Sequence, residues 1–120
     1  MLWFKKKTVV KEEKDTFSFE WLPAELKMRL INNGFKPEDE LEVEIRPDNV
    51  FNGWHFSIIF NKECVGSSVI CRPENENRYV PYPTMEEAER EALRCANEFK
   101  EYYKTLHERF SNRKTIKVEI

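Results

Sequence analysis

Apolar and polar residues recur with two different periods along the chain, and the longer period first predicts a short helix. Leu22, Leu26 and Leu30 lie four residues apart, so a helix would place them on one face. Gly34 follows as a residue that can adopt the positive φ of a helix end. We therefore predict a helix over residues 23–33.

The shorter period, two residues, predicts three antiparallel strands in the middle of the chain. These strands cover residues 41–46, 53–60 and 63–71, each with apolar side chains at alternate positions. Turn-forming residues separate them, and the second turn is expected at Asn61–Lys62. The pattern favours a three-stranded meander with one dry face and one charged face.

The turn at 61–62 also predicts how the second hairpin pairs. It places Phe60 opposite Glu63 and Ile58 opposite Val65, so that large apolar side chains collect on one face. On the other face, away from the core, His55 would lie opposite Ser68. The residues expected to form the core are Val43, Ile45, Trp54, Phe56, Ile58, Val65, Val69, Ala88, Ala92, Leu93 and Ala96.

A second helical pattern predicts a much longer helix over residues 84–110. It opens with Thr84 and Glu87 at the spacing of a capping box, and its apolar residues then recur at alternating intervals of three and four. The first half of this apolar seam is small, and the second half is aromatic. Since a three-stranded sheet is only about 15 Å wide, the aromatic half should extend beyond the sheet and need another partner.

The predicted fold class is therefore α+β, with an antiparallel sheet of three or more strands packed against both helices. Residues 1–15 are expected to form a charged N-terminal arm, and residues 16–120 a single domain. Two flanking segments, 16–21 and 114–120, also alternate between apolar and polar residues, and we predict strands there. The strand over 114–120 would belong to this sheet or to a neighbour's.

Composition and cysteine usage favour a cytoplasmic globular protein. The 120 residues suffice for one domain, and no apolar run approaches the length of a membrane span. Cys64, Cys71 and Cys95 are spaced for neither a disulfide framework nor a zinc site, so we expect reduced thiols and a cytoplasmic location. Cys64 lies near the turn, which makes it the candidate for a reactive thiol.

The sequence contains none of the common motifs of enzyme sites. Its three glycines stand apart rather than in a phosphate-binding loop. His55 would share an open sheet face with Ser57, Ser68 and the carboxylates of Glu42 and Glu44. An open face excludes no water and provides no oxyanion hole. We therefore predict a non-enzymatic protein with no catalytic residue, no metal site and no cofactor.

The net charge of −2 conceals a separation of charge along the chain. Residues 38–44 contain five acidic residues and no basic one, whereas residues 104–117 contain five basic residues and one acidic one. If the two ends of the chain meet, they form a basic patch that could contact nucleic acid. Its members would be Lys5, Lys6, Lys7, Arg109, Arg113 and Lys114.

One segment resembles a known family of regulators. Residues 22–30 read L-P-A-E-L-K-M-R-L, and residues 34–45 read G-F-K-P-E-D-E-L-E-V-E-I. This segment is similar to the swapped-hairpin AbrB-type regulators and antitoxins, in which I-P-x-E-L-R and L-K-P-G-D precede a V-E-V strand. Glu38 replaces the turn glycine of that pattern, and the segment lacks the family's arginine-bearing face. The resemblance implies a DNA-binding regulator or antitoxin.

Three functions follow from these patterns. The leading hypothesis is a small protein-binding module, similar to small proteins of phages and mobile elements, that contacts another protein or a second copy of itself. The alternative is a nucleic-acid-binding regulator or an inhibitor of a nucleic-acid enzyme, and the third is an enzyme that uses His55 with Ser68 or Cys64. The module would act through an aromatic surface formed by the long helix and by the loop over residues 73–83, which contains Tyr79 and Tyr82. The predicted partner-binding residues are Tyr79, Tyr82, Phe99, Tyr102, Tyr103, Leu106 and Phe110.

Overall fold

The computed structural model describes residues 16–73 and 78–120 and confirms the α+β class. A three-stranded antiparallel sheet of order β1-β2-β3 packs against a long C-terminal helix and a shorter one. The arm predicted for residues 1–15 lies outside the described residues. The elements are α1 (Ala24–Asn33), β1 (Leu41–Pro47), β2 (Trp54–Phe60), β3 (Glu63–Ser67), α2 (Ser68–Cys71) and α3 (Met85–Ser111).

Helix α1 has the predicted extent to within one residue. Pro23 is its N-cap, and the Gly34 amide donates to the Leu30 carbonyl at 2.9 Å where the helix ends. Gly34 has a φ of +70°, and a Cβ at this position would lie 2.9 Å from the His107 ring of α3. Glycine is therefore required twice here, by the backbone conformation and by the close approach of α3.

Strands β1 and β2 pair in a register that gives the sheet one apolar face. Leu41 lies opposite Phe60, and Val43 lies opposite Ile58. The turn after β2 is formed by Asn61 and Lys62, whose φ values are both positive, as a tight two-residue hairpin turn requires. Strands β1 and β2 therefore alternate between apolar and polar side chains as predicted, and the second turn lies at the predicted residues.

Strand β3 is shorter than predicted. The pairs Phe60–Glu63 and Ile59–Cys64 begin the hairpin, but a bulge then places Ile58 opposite Gly66 rather than Val65. The predicted pairing of Ile58 with Val65 was wrong because the bulged strand contains one extra residue.

The predicted strand over 63–71 also ends early, at Ser67. The Ser67 hydroxyl accepts a hydrogen bond from the Ile70 amide at 3.2 Å and so caps the short helix α2. A side-chain cap therefore replaces the last four residues of the predicted strand with a helical turn.

Helix α3 begins and ends close to the predicted positions. The Thr84 hydroxyl accepts a hydrogen bond from the Glu87 amide at 3.1 Å, which satisfies one free amide of the first turn. Small side chains line the buried part of its N-terminal half, so the helix lies close to β1 and β2. These small buried residues are Ala88, Ala92, Cys95 and Ala96.

Neither flanking segment forms a strand within the described residues, so the strand predicted over 16–21 was wrong and residues 114–120 add none to this sheet. A strand at 114–120 in a neighbour's sheet stays a prediction. Residues 16–19 have no ladder partner, although Phe17 is buried against Phe56 and Phe19 packs against the core. Residues 114–120 form no strand either and are exposed throughout. Side-chain packing holds the first segment in place, whereas nothing within the described chain covers the second.

The core contains most of the predicted residues together with a larger aromatic group. Of the predicted residues, Phe56, Ile58, Val65, Ala88, Ala92 and Ala96 are buried, whereas Val43, Ile45, Trp54 and Val69 are partly buried. Leu93 is 49% exposed, because it lies beside the apolar seam of α3 rather than on it. Other buried residues are Phe17, Leu22, Leu30, Ile31, Phe60, Cys71, Tyr82, Cys95, Phe99 and Tyr103.

We expect Phe56→Ala to lower the free energy of unfolding by about 3–5 kcal/mol, the usual loss for a large aromatic side chain deleted from a core. Phe56 is fully buried between the Phe17 and Tyr82 rings. Urea denaturation would measure the change. Phe51→Ala is the matched control, because Phe51 is largely exposed and should change stability by less than about 1 kcal/mol. Equal losses in the two variants would contradict this packing.

Candidate functional site

The aromatic half of α3 divides into a buried row and an exposed row. Phe99 and Tyr103 are buried, so the structure removes them from the predicted partner-binding surface. Tyr102 is 48% exposed, Phe110 is also exposed, and Leu106 is partly buried. The division arises because positions 99 and 103 face the sheet, while positions 102, 106 and 110 point to the side of the helix. The exposed row is therefore the part of the predicted surface that remains available.

A groove of about 460 Å³ runs along Tyr102 and Leu106 of this row, while Phe110 lies outside it. Helix α3 forms one wall with Tyr102, Thr105 and Leu106, and Phe17 and Phe19 line the groove from the segment that precedes α1. We call this feature the α3 groove. Its residues on the helix recur at intervals of three and four, so they form one continuous stripe.

The aromatic wall of the α3 groove is held by contacts with the core. The Tyr102 ring lies 5.5 Å from the Phe19 ring and 4.9 Å from the Tyr103 ring. The Tyr103 hydroxyl donates a hydrogen bond to the Phe19 carbonyl at 3.2 Å. Burial raises the pKa of Tyr103 to about 12, so this hydroxyl keeps its proton at neutral pH. The Tyr102 ring is therefore held on a helix by packed aromatic neighbours.

Charged residues flank the α3 groove at its two ends. Glu98 and Glu101 lie toward the N-terminal end, and Arg109 lies toward the C-terminal end. Glu98 is already paired with Arg94 at 2.6 Å, whereas Glu101 and Arg109 are exposed. The stripe from 98 to 109 is about 16 Å long at the rise of an α-helix. The groove thus offers an apolar centre between an acidic end and a basic end.

The predicted Tyr79–Tyr82 loop contributes one exposed tyrosine rather than two. Tyr82 is buried and stacks on Phe56 at 6.0 Å, and its amide and carbonyl both bond to Trp54 at 2.8 Å. Tyr79 is exposed and, with Phe51, lines a second, more polar depression of about 280 Å³. Nothing in the sequence indicated that Phe51 would line a surface depression, because Phe51 lies in a turn segment with no periodic pattern.

His55 is buried, contrary to its predicted place on an open face. Its Nδ1 lies 3.1 Å from the Ser68 hydroxyl, and its Nε2 lies 2.6 Å from Asp48 Oδ1. The Ser68 hydroxyl also accepts a hydrogen bond from the Phe56 amide at 3.3 Å. The predicted neighbourhood of His55 and Ser68 is present, but the carboxylate is Asp48 rather than Glu42 or Glu44.

The Asp48–His55–Ser68 chain has the residues of a catalytic triad in an unsuitable place. Ser68 is fully buried at the start of α2, so its hydroxyl is out of reach of a substrate. Both imidazole nitrogens are already hydrogen-bonded within the protein. The arrangement instead ties the 48–53 turn to the sheet. The sequence indicates part of this arrangement, because Asp48 stands at the start of a turn, where an aspartate side chain commonly accepts hydrogen bonds from the following amides.

The three thiols occupy two different environments. Cys64 is exposed, whereas Cys71 and Cys95 are buried. Hydrogen bonding to Cys71 and burial raise the pKa of the Cys95 thiol, so Cys95 remains protonated and unreactive. Within residues 16–73 and 78–120, no cluster of His, Cys, Asp and Glu could hold a metal ion.

The predicted basic patch can be located only in part. Arg109, Arg113 and Lys114 are exposed near the end of α3, while Lys5, Lys6 and Lys7 lie outside the described residues. Whether the two groups meet remains a prediction. None of the described helices is both long enough and apolar enough to cross a bilayer.

Comparison with protein family models, with curated proteins and with solved structures yields no match. The resemblance of residues 22–45 to AbrB-type regulators therefore remains a prediction from the residues alone. In the structure this segment forms α1, a turn and β1.

We expect acidification to destabilise the protein partly through Asp48. Hydrogen bonds from the Phe51 and Val50 amides and from His55 lower the pKa of Asp48 below its usual value of 3.8. A carboxylate with a lowered pKa in the folded state stabilises the fold above its unfolded pKa, and this contribution disappears as pH falls through the folded pKa. The melting temperature should therefore fall less between about pH 5 and pH 2 in Asp48→Asn than in the parent.

Glu89→Gln is the control for this measurement, because Glu89 is an exposed carboxylate on α3. It should leave the pH dependence of the melting temperature unchanged. An identical acid profile for the parent and Asp48→Asn would show that the hydrogen bonds of Asp48 do not stabilise the folded state.

Proposed function

We propose that this protein is a small, non-enzymatic protein-binding module that binds its partner in the α3 groove. The observation that carries the proposal is Tyr102, a large aromatic side chain that is 48% exposed on a rigid helix in the middle of a groove. Tyrosine and arginine are enriched among the residues that dominate binding energy at protein interfaces. Tyr102 and Arg109 line the same groove.

The rigidity of the groove supports the same proposal. Association costs free energy whenever flexible side chains must be ordered. Contacts with Phe19 and Tyr103 already hold the Tyr102 ring, so less ordering is needed on binding. The fully buried Ser68 weighs against the alternative of an enzyme that uses His55.

The partner that best fits the groove is a second copy of α3 in the antiparallel direction. With a two-fold axis at Thr105, Glu101 of each copy lies opposite Arg109 of the other, because both residues are four positions from the axis. The apolar centres of the two stripes then meet. A cytoplasmic location belongs to the proposal, since the free thiols Cys71 and Cys95 suit a reducing compartment.

We expect Tyr102→Lys to weaken self-association by roughly tenfold or more, because it removes a central aromatic contact and adds a charge to each copy. Sedimentation equilibrium over a range of micromolar concentrations would measure the dissociation constant, with Val118→Pro in every chain compared so that the exposed apolar segment 116–120 adds no second route of association. Leu93→Lys is the control, since Leu93 is equally exposed on α3 but lies outside the groove. A parent that remains monomeric at every concentration would remove the second copy as partner.

Charge exchange provides a second test of the antiparallel arrangement. Glu101→Arg and Arg109→Glu should each weaken association, because each places like charges opposite one another. The variant carrying both changes should recover most of the parent affinity. Failure of the double variant to recover would contradict the pairing of Glu101 with Arg109.

Nucleic-acid binding is the second candidate function, favoured by the exposure of Arg109, Arg113 and Lys114. It predicts that affinity for DNA or RNA falls steeply as salt rises, since bound cations are released from the phosphates. An Arg113→Ala, Lys114→Ala variant should bind more weakly and with a smaller salt dependence in fluorescence anisotropy. Absence of binding at low salt would exclude this function.

A further inference from the structure

Residues 114–120 have the alternation of a strand, but no strand lies beside them within residues 16–73 and 78–120. Ile116, Val118 and Ile120 lie at every second position. Ile116 is 70% exposed and Val118 is 79% exposed, and Ile120 is exposed as well. A row of apolar side chains that is exposed to water gains free energy when a second surface covers it.

Strand β1 supplies an open edge of the sheet. It pairs with β2 on one side, and on its other side no backbone group of residues 41–47 bonds to another segment within the described chain. An unpaired row of amides and carbonyls is a ready template for another strand. Pro47 at the end of β1 fits this position, since proline in sheets is confined largely to edges.

The opposite edge of the sheet is much less suited to pairing. Strand β3 has only five residues, and its ladder with β2 is interrupted by the bulge. Beyond it the chain turns into α2, and the Cys71 carbonyl of that helix bonds to the Ser18 amide at 2.8 Å. Shortness and a bulge are common protections of a sheet edge. An added strand would therefore pair with the outer edge of β1.

The two segments match in their pattern of apolar and charged positions. In a parallel pairing that sets position 114 beside position 41, Ile116 lies beside Val43 and Val118 beside Ile45. These four side chains then continue the apolar face of the sheet, on which Val43 and Ile45 are only partly buried.

The same register also pairs the charges on the other face. Lys117 lies beside Glu44, and Glu119 lies beside Arg46. The antiparallel register that keeps Lys117 beside Glu44 would instead place Glu119 beside Glu42, with like charges adjacent. Charge complementarity therefore selects the parallel arrangement.

We propose that residues 114–120 of one copy add to the β1 edge of a second copy as a parallel fourth strand, with reciprocal exchange between the two copies. The occupant is a second copy because the apolar and charged positions of residues 114–120 match those of β1, while in the described part of the chain the segment is exposed and no strand lies beside the β1 edge. Reciprocal exchange closes the assembly around a two-fold axis and covers both edges. The proposal does not depend on the α3 groove.

Disulfide trapping between separate chains tests this exchange directly. Adjacent strands lie about 4.8 Å apart, within the range of Cα separations that a disulfide spans. Glu44→Cys and Lys117→Cys are made in separate chains, each also carrying Cys64→Ser, because Cys64 is the exposed native thiol. An equimolar mixture oxidised with copper phenanthroline at micromolar concentration should give a covalent dimer of the two variants as the main product on a non-reducing gel.

A control pair and a blocking variant test whether the covalent dimer requires pairing of residues 114–120 with β1. Glu89→Cys mixed with Lys117→Cys should give at least roughly tenfold less heterodimer, because Glu89 lies on α3 and not on the β1 edge. Val118→Pro in the Lys117→Cys chain should reduce the heterodimer to a similar degree, since proline disrupts strand pairing. Val118 is outside the core, so far-ultraviolet circular dichroism should confirm an unchanged fold. Adding Tyr102→Lys should leave the heterodimer yield unchanged.

Two outcomes would overturn the proposal. One is a heterodimer yield no greater than that of the control pair. The other outcome concerns a chain that carries both Glu44→Cys and Lys117→Cys. If its oxidation gives only a monomer with an internal disulfide at every concentration, residues 114–120 pair with the sheet of their own chain. If Tyr102→Lys leaves the dissociation constant unchanged but the Glu44→Cys and Lys117→Cys chains still form the covalent dimer, the α3 groove proposal fails and the strand exchange stands.

Discussion

The ring of Phe99 is the contact on which the arrangement of the elements depends. It lies between 5.2 and 6.0 Å from the rings of Phe19, Phe35, Phe60 and Tyr103. These neighbours come from the segment before α1, the chain just after α1, strand β2 and helix α3 itself. Edge-to-face contacts between aromatic rings add orientation to the general gain of burial. One side chain on α3 therefore fixes the helix against the sheet and attaches both preceding segments to it.

The position of Phe99 determines which side chains of α3 remain at the surface. Once Phe99 and Tyr103 face the core, Tyr102 must point to the side of the helix, where the segment containing Phe19 meets it. The exposed aromatic residues are thus a consequence of how the core is filled. A surface formed in this way is rigid, and rigid aromatic surfaces favour binding because little conformational entropy is lost on association.

The separation of charge along the chain has a structural counterpart. Acidic side chains occupy one face of the open edge strand β1, and basic side chains accumulate at the end of α3 and beyond it. Glu42 and Glu44 are exposed on a strand whose outer edge pairs with no other described residue, and Lys114 and Lys117 lie on a segment that no other described residue covers. A nearly neutral protein can in this way carry two oppositely charged surfaces, which favours ordered contact between copies over random association.

Local patterns in the sequence determined helices α1 and α3, the first two strands and the turn at Asn61–Lys62, because each depends on residues that are neighbours along the chain. Tertiary structure decided what depends on residues far apart. Residues 16–19 pack against the core without pairing in the sheet, and Asp48 rather than Glu44 reaches His55. The seam of α3 contains buried and exposed tyrosines one residue apart, and no periodicity distinguishes them. The covering elements, distant in sequence, decide which side of a helix is closed to water.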